Sequence, residues 1–267
     1  MSAYIGMFRM KFISGLQYRA AAWAGIATQF AWGFMLIMIY RAFYRSSSAA
    51  PPMEWPQLVA YIWLQQSLLA FWMLWGQDET LLSDIRDGQI AYELCRPYDL
   101  YSYWYARLIG MRLANVSLRF APLLIVASLL PQAYRLTLPP SFGASAMFIV
   151  TLALGMLLIV AVSMFIYILT FVTLTPTGAK IIVAVASDFL GGHIIPIPFL
   201  PKWLQRVSDF LPFRYASDLP LRLYSGNISG ADALTQIAIQ LVWIVGLILL
   251  GRLAFGRVMR NVTVQGG

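Results

Sequence analysis

Residues 81–100, LLSDIRDGQIAYELCRPYDL, decide how this chain is read. They hold Asp84, Arg86, Asp87, Glu93, Arg96 and Asp99, although only 11% of the whole chain is charged, and long apolar runs lie on either side. A charged side chain at the centre of a bilayer costs about 2.5–3.5 kcal/mol even on insertion scales, so a stretch this rich in charge lies in water. Leu81, Leu82 and Ile85 share one helical face, with Asp84 and Asp87 on the other. Gly88 interrupts the pattern, and Ile90 and Leu94 then resume an apolar stripe. Pro97 ends it, because the residue before a proline is pushed out of helical geometry. Two short helices with a glycine elbow are expected, offering an apolar ridge rimmed by charge. That is the anatomy of a docking surface, and equally of a solvated loop pressed against a membrane; the residues alone leave both open.

Working outward, the 267-residue chain is 60% hydrophobic with a mean hydropathy of +0.70. A soluble domain is roughly 45–50% apolar and about 25% charged, so both deviations indicate an integral membrane protein. The apolar runs are long and unbroken, which indicates helices and not the alternating strands of a barrel. The net charge of +8 comes from basic residues at the ends of apolar runs, as the topology rule requires. That pattern does not suit nucleic acid. Cys95 is the sole cysteine, which permits no internal disulfide and no thiolate metal cluster. The apolar run after MSAYIGMFRMKFISGLQYR exceeds the roughly 7–15 residues of a signal-peptide core, so it reads as a retained first span.

The expected fold is therefore all-α: a polytopic membrane protein with six transmembrane helices. The spans are placed at 20–44, 57–76, 103–130, 142–174, 181–195 and 233–255. An interfacial helix precedes them at 1–18, where Tyr4, Ile5, Phe8, Phe12, Ile13 and Leu16 make one face and Arg9 and Lys11 can reach headgroups. Arg41 and Arg45 can snorkel at the end of the first span, and Trp63, Trp72 and Trp75 are available as interface anchors in the second. An outer amphipathic or re-entrant segment, 196–230, precedes the last span. Within it Trp203, Leu204, Val207, Phe210 and Leu211 face one way and Gln205, Arg206, Ser208 and Asp209 the other, with Pro201 and Pro212 as helix boundaries. It reads as a lid or gate, or as a packing helix with no moving part. With both ends inside, inner segments carry eleven of the Lys and Arg residues and outer segments seven, with Arg119 inside the third span. The bias places both termini, and residues 81–100, in the cytoplasm.

Several polar groups fall at membrane depth. Asp188 lies within the fifth span, and a carboxylate there faces a cavity or a partner. Arg119 is the candidate partner; the competing reading is a pathway carboxylate that attracts a cationic substrate. His193 stands near the same helix end, and as the only histidine it would need several carboxylates to hold a metal. Gln29, Gln65 and Gln66 are mid-span amides suited to interhelical hydrogen bonds or to lining a path. No G-x-S-x-G and no H-E-x-x-H is present. The nearest approach to a phosphate-cradling loop, Gly178-Ala179-Lys180, has alanine where Gly-Lys must be adjacent and no Ser or Thr after the lysine.

The pattern I-R-D-G-x-I-x-x-x-L-x-R-P over residues 85–97 resembles permeases of the ABC-2 type. So does the later G-x-x-I-P of Gly192, Ile195 and Pro196, followed by Leu211-Pro212-Phe213, Pro220 and Gly226. The resemblance covers nearly the whole chain. It implies an exporter subunit that forms half of a translocation pathway, paired with a second permease chain, identical or related. ATP and magnesium would be bound by separate cytosolic ATPase subunits, leaving this chain without a cofactor. It further implies an ATPase-coupling interface at Ile85, Arg86, Gly88, Glu93, Leu94, Arg96 and Pro97, with a smaller second contact at TPTGAK, 175–180. A bacterial inner, or plasma, membrane location follows, with cargo among hydrophobic or cationic drug-like compounds and lipids. The rival readings are a membrane-embedded enzyme, against which the absent catalytic motifs count, and an accessory, non-transporting subunit of a heteromeric permease.

Overall fold

The structure, a computed structural model, describes residues 3–17, 19–46 and 50–261. Parts of the expected interfacial helix (1–2 and 18), of the first loop (47–49) and of the tail (262–267) lie outside the described residues. Every regular element described is helical. Helix α1 (Ala3–Gly15) leads into α2 (Arg19–Ser46). Glu54 N–H donates to Gln57 Oε1 at 3.1 Å and Pro56 sits in the first turn, which starts α3 (Trp55–Ser67). After a break at Leu68 come α4 (Leu69–Trp72), α5 (Glu79–Arg86) and α6 (Ala91–Leu94). Asp99 caps the long α7 (Leu100–Leu129), its carboxylate accepting from Ser102 N–H at 3.1 Å. Ser141 does the same for α8 (Phe142–Thr173) through Ala144 N–H. Helix α9 (Thr177–Leu190) follows, then a 3-10 turn at Ile197–Phe199, α10 (Lys202–Asp209), α11 (Phe213–Ala216), α12 (Asp218–Tyr224) and α13 (Gly230–Asn261).

Four helices are long and apolar enough to cross a membrane: Ala22–Ser46, Leu100–Leu129, Phe142–Thr173 and Gly230–Arg260. The expected second and fifth spans are shorter and broken. From Trp55 to Trp72 the chain rises roughly 27 Å and tightens at Leu68, where Phe71 N–H bonds back three residues to Leu68 O at 2.8 Å. The 14 residues of α9 rise roughly 21 Å, less than the roughly 30 Å of hydrocarbon. That helix stops at Gly191-Gly192, with Gly192 at φ +81°, a left-handed conformation that glycine adopts without strain.

Helix α8 is the hub, touching α4, α5, α7, α9, α11, α12 and α13. One end of the bundle carries the charged stretch between α4 and α7; the opposite end carries the loop 131–141. Trp55 and Trp63 donate from their indoles to Ala133 O and Tyr134 O at that loop, at 2.8 and 2.7 Å. Trp63 and Trp72 are fully buried, so they are core residues and not interface anchors. At the charged end, α1, the expected interfacial helix, lies along α7. A Cβ on Gly110 would stand 2.6 Å from Phe8 O, and one on Gly15 2.5 Å from Ala114 Cβ. Small residues allow this close approach.

The segment between α9 and α13 folds back into the bundle. Ala216 O fills the space that a Cβ on Gly155 would need, Phe148 meets Tyr224 edge-on at 5.1 Å, and Pro140 covers Gly226. Thus α12 tracks α8 outward from about 20 Å inside the bundle, the rise from Phe142 to Gly155. Helix α10 exposes apolar as well as charged side chains. Ser208 is buried, and Gln205 Nε2 donates to Leu200 O at 2.7 Å. Trp203 and Phe210 stand 66% and 80% exposed, an arrangement suited to lipid.

Candidate functional site

At the charged end, Asp78 is the N-cap of α5, its Oδ1 accepting from Leu81 N–H at 3.2 Å. The same carboxylate takes both nitrogens of a forked contact from Arg107 of α7, Nε at 2.7 Å and Nη2 at 3.0 Å. Lys11 of α1 reaches it at 2.8 Å. Lys11 therefore does not extend to lipid headgroups, because a buried carboxylate claims it first. Asp78 N–H donates to the hydroxyl of Tyr167 on α8 at 2.8 Å. The Asp78 and Arg107 side chains are only 4% and 5% exposed. Burial alone would push the Asp78 carboxyl up, but the hydrogen bonds and charges of Arg107 and Lys11 outweigh it and hold the pKa to about 2.

Glu93 on α6 joins this network from the solvent side. It accepts from Trp104 Nε1–H at 2.7 Å and stands 3.8 Å from Arg107. Asp99 connects the other flank: its N–H donates to the Tyr4 hydroxyl of α1 at 3.1 Å, and its carboxylate pairs with Arg252 of α13 at 3.2 Å. Residues 78–99 are thus tied to α1, α7, α8 and α13. Lys180, in the first turns of α9, meets Glu79 at 2.8 Å, so the TPTGAK turn adjoins the same surface.

The two expected short helices are α5 and α6, and Gly88 between them takes φ +76°. Their apolar ridge points inward. Ile85 is buried with Leu81, Leu82 and Ile90 against the bundle. An amphipathic helix of two turns has one apolar face, and here the bundle takes it. What remains exposed is Arg86, Asp87, Gln89, Leu94, Cys95, Arg96, Pro97 and above all Tyr92, at 78%. Tyr92 and Asp78 are residues of this end that the sequence did not single out. An exposed aromatic in a charged loop was the available signal for the first, and an acidic residue three positions before Leu81 for the second.

The second cluster lies where α9 ends. Asp188 accepts from Trp75 Nε1–H at 2.6 Å and faces His193 Nδ1 at 3.2 Å. It does not pair with Arg119, whose guanidinium packs over Gly25 of α2. The two sit on different helices, α9 and α7, and Trp75 stands closer to Asp188. His193 stacks on Trp72 at 5.8 Å. Gln65 Nε2 donates to Gly192 O at 3.1 Å and to His193 O, capping the broken helix. Gln66 packs its stem toward Gly33 of α2 and stays out of this cluster. Arg112, also unremarked in the sequence, donates to Phe71 O and Met73 O at 3.2 and 2.9 Å and so satisfies the end of α4. Non-helical backbone at membrane depth needs such donors. Among the described residues, no group of three or more His, Cys, Asp or Glu is placed to hold a metal.

These elements carry a match to one family model, described as ABC-2 family transporter protein, over residues 30–266. Neither a curated protein nor a solved structure matches the chain.

Proposed function

The chain belongs to the ABC-2 transporter family, and from that premise we propose that it is the permease subunit of an ATP-driven exporter, docked through residues 86–97 onto a separate cytosolic ATPase. The family is one of transport permeases, multi-pass membrane subunits that generally work with such an ATPase. The observation that carries the finer reading is mechanical. An exposed rim of Arg86, Tyr92, Leu94, Arg96 and Pro97 is braced from behind by the buried Arg107 and Asp78 and the half-buried Glu93 and Lys11. A displacement of the rim is passed to α7 through Arg107 and Trp104, to α8 through Tyr167, and to α13 through Arg252. A merely solvated loop needs no such anchoring.

In this reading the charged end faces the cytoplasm, with both termini, in the bacterial inner membrane. A second permease chain, identical or related, completes the pathway. The broken helices α3–α4 and α9 meet at Gln65, Asp188 and His193, and interrupted helices of this kind adjoin substrate sites in other transporter folds. The decisive experiment is the double substitution Tyr92→Ala with Arg96→Ala in the tagged chain. Aromatic and arginine anchors each contribute about 2 kcal/mol to an interface, so co-purified ATPase should fall by at least about tenfold while permease levels in the membrane hold. Unchanged co-purification would place the contact elsewhere.

A further inference from the structure

On the opposite end of the bundle a half-open cavity of about 550 Å³ lies between the folded-back segment and α13. Asp209, Arg214, Arg222, Asn227, Asp232 and Gln236 line it. Two carboxylates face two guanidiniums, so the lining is close to neutral but strongly dipolar. The volume is that of a small-molecule site.

The two guanidiniums are built into the fold, while the carboxylates Asp209 and Asp232 are exposed at the mouth. Arg214 is 5% exposed and bonds Asp209, while Arg222 Nε donates to Asn227 Oδ1 at 2.7 Å and approaches the fully buried Asp218 at 3.6 Å. Two groups are left over: Arg214 Nε and Gln236 Oε1 are buried and have no partner among the described residues. Asp232 makes no ion pair or side-chain hydrogen bond among them either. A buried donor and a buried acceptor, with an exposed carboxylate at the mouth, suit a ligand with both an anionic and a cationic group.

Depth selects the source. From Asp232 to Ile239 the lining descends α13 by roughly 10 Å. The polar zone on each side of a bilayer is roughly 5–8 Å deep, half the difference between the full thickness and the hydrocarbon core. The cavity thus straddles the boundary between headgroups and chains. Next to the lining residue Asp209, Phe210 is 80% exposed, an apolar surface on which an acyl chain can lie. We propose that this cavity binds the headgroup of a zwitterionic phospholipid of the phosphoethanolamine kind, with phosphate toward Arg214 and the neighbouring Arg222 and ammonium toward Asp232.

The assignment to the outer leaflet rests on the orientation given under Proposed function. The test is native mass spectrometry of the full chain in neutral detergent, with phosphatidylethanolamine and phosphatidylglycerol added in equal amounts. The expected result is about tenfold preferential retention of phosphatidylethanolamine, the equivalent of one charge-assisted hydrogen bond. Asp232→Asn, which breaks no bond within the chain, should abolish the preference, and Arg222→Gln should lower retention of both. Equal retention of the two lipids, or an unchanged preference in Asp232→Asn, overturns the proposal. So does complete displacement by soluble glycerophosphoethanolamine, which would assign the cavity to a soluble zwitterion. ATPase co-purification reads the premise separately. Lost lipid preference with intact co-purification removes this site alone; the reverse leaves the site standing and removes the coupling.

Discussion

Asp78 shows how one side chain can tie together several elements that are distant in sequence. It caps α5 and binds Arg107 and Lys11. Removing one partner of a buried ion pair costs about 3–5 kcal/mol because the other charge is stranded. Here Glu93 stays near Arg107, so Asp78→Asn should cost about 3 kcal/mol, read as a lower unfolding temperature of the detergent-solubilised chain. The acid itself is depressed, held to about 2 against an ordinary value near 3.9. Its contribution is therefore complete above about pH 5 and is lost as pH falls through 2. Wild type should lose roughly 2 kcal/mol across that window and Asp78→Asn should lack that part of the acid sensitivity; identical acid profiles would show that the carboxylate is not ionised in the fold. Asp188 makes a different forecast. Since Trp75 and His193 already satisfy it, Asp188→Asn, which keeps an acceptor for Trp75, should export normally at normal abundance. Loss of export with an intact chain would instead make it a pathway carboxylate.

At the scale of elements, the folded-back segment depends on side-chain amides that replace missing helical partners. Gln240, fully buried on α13, donates to Thr151 O at 3.0 Å and to Tyr215 O at 2.7 Å. Ser217 Oγ donates to Gly191 O at 2.7 Å. An unsatisfied buried carbonyl costs about 1–3 kcal/mol. Gln240→Leu should therefore release α11 and α12 without preventing membrane insertion, seen as faster proteolysis between α10 and α13. Gly155→Ala should do the same by steric exclusion of Ala216, at about 1–3 kcal/mol for overpacking. Proteolysis unchanged in both variants would mean that the segment is held by its apolar contacts alone. None of these amide contacts has a sequence signature. A mid-span glutamine announces a hydrogen bond, and only the fold names its partner.

For the whole molecule, the single cysteine supplies a topology test. Cys95 is exposed on the charged end, so a membrane-impermeant maleimide should label it in inverted membrane vesicles and not in intact cells. Bound ATPase should shield it, since Arg96 and Leu94 flank it within the proposed contact. Labelling from outside would reverse the orientation and carry the docking surface away from any cytosolic motor. The exposed apolar faces of α2 and α13, among them Trp32, Ile39, Val242 and Leu249, suit lipid and a second permease chain.

Composition and periodicity by themselves determined that this chain is helical and membrane-embedded, and that residues 81–100 must stand in water. These follow from the cost of charge in hydrocarbon and from the length of apolar runs, which are local properties. Family membership was legible in the order of short motifs from Ile85 to Gly226. Tertiary structure alone decided which side of each amphipathic piece faces the protein. Ile85 turned inward and Tyr92 outward, α10 buried Ser208 and left Trp203 exposed, and Lys11 found a buried carboxylate where headgroups had been expected. It also shortened two helices, whose ends Gln65 and Arg112 satisfy with side-chain donors. Those outcomes depend on partners far away in sequence, and a hydropathy pattern carries no record of which buried group will satisfy which.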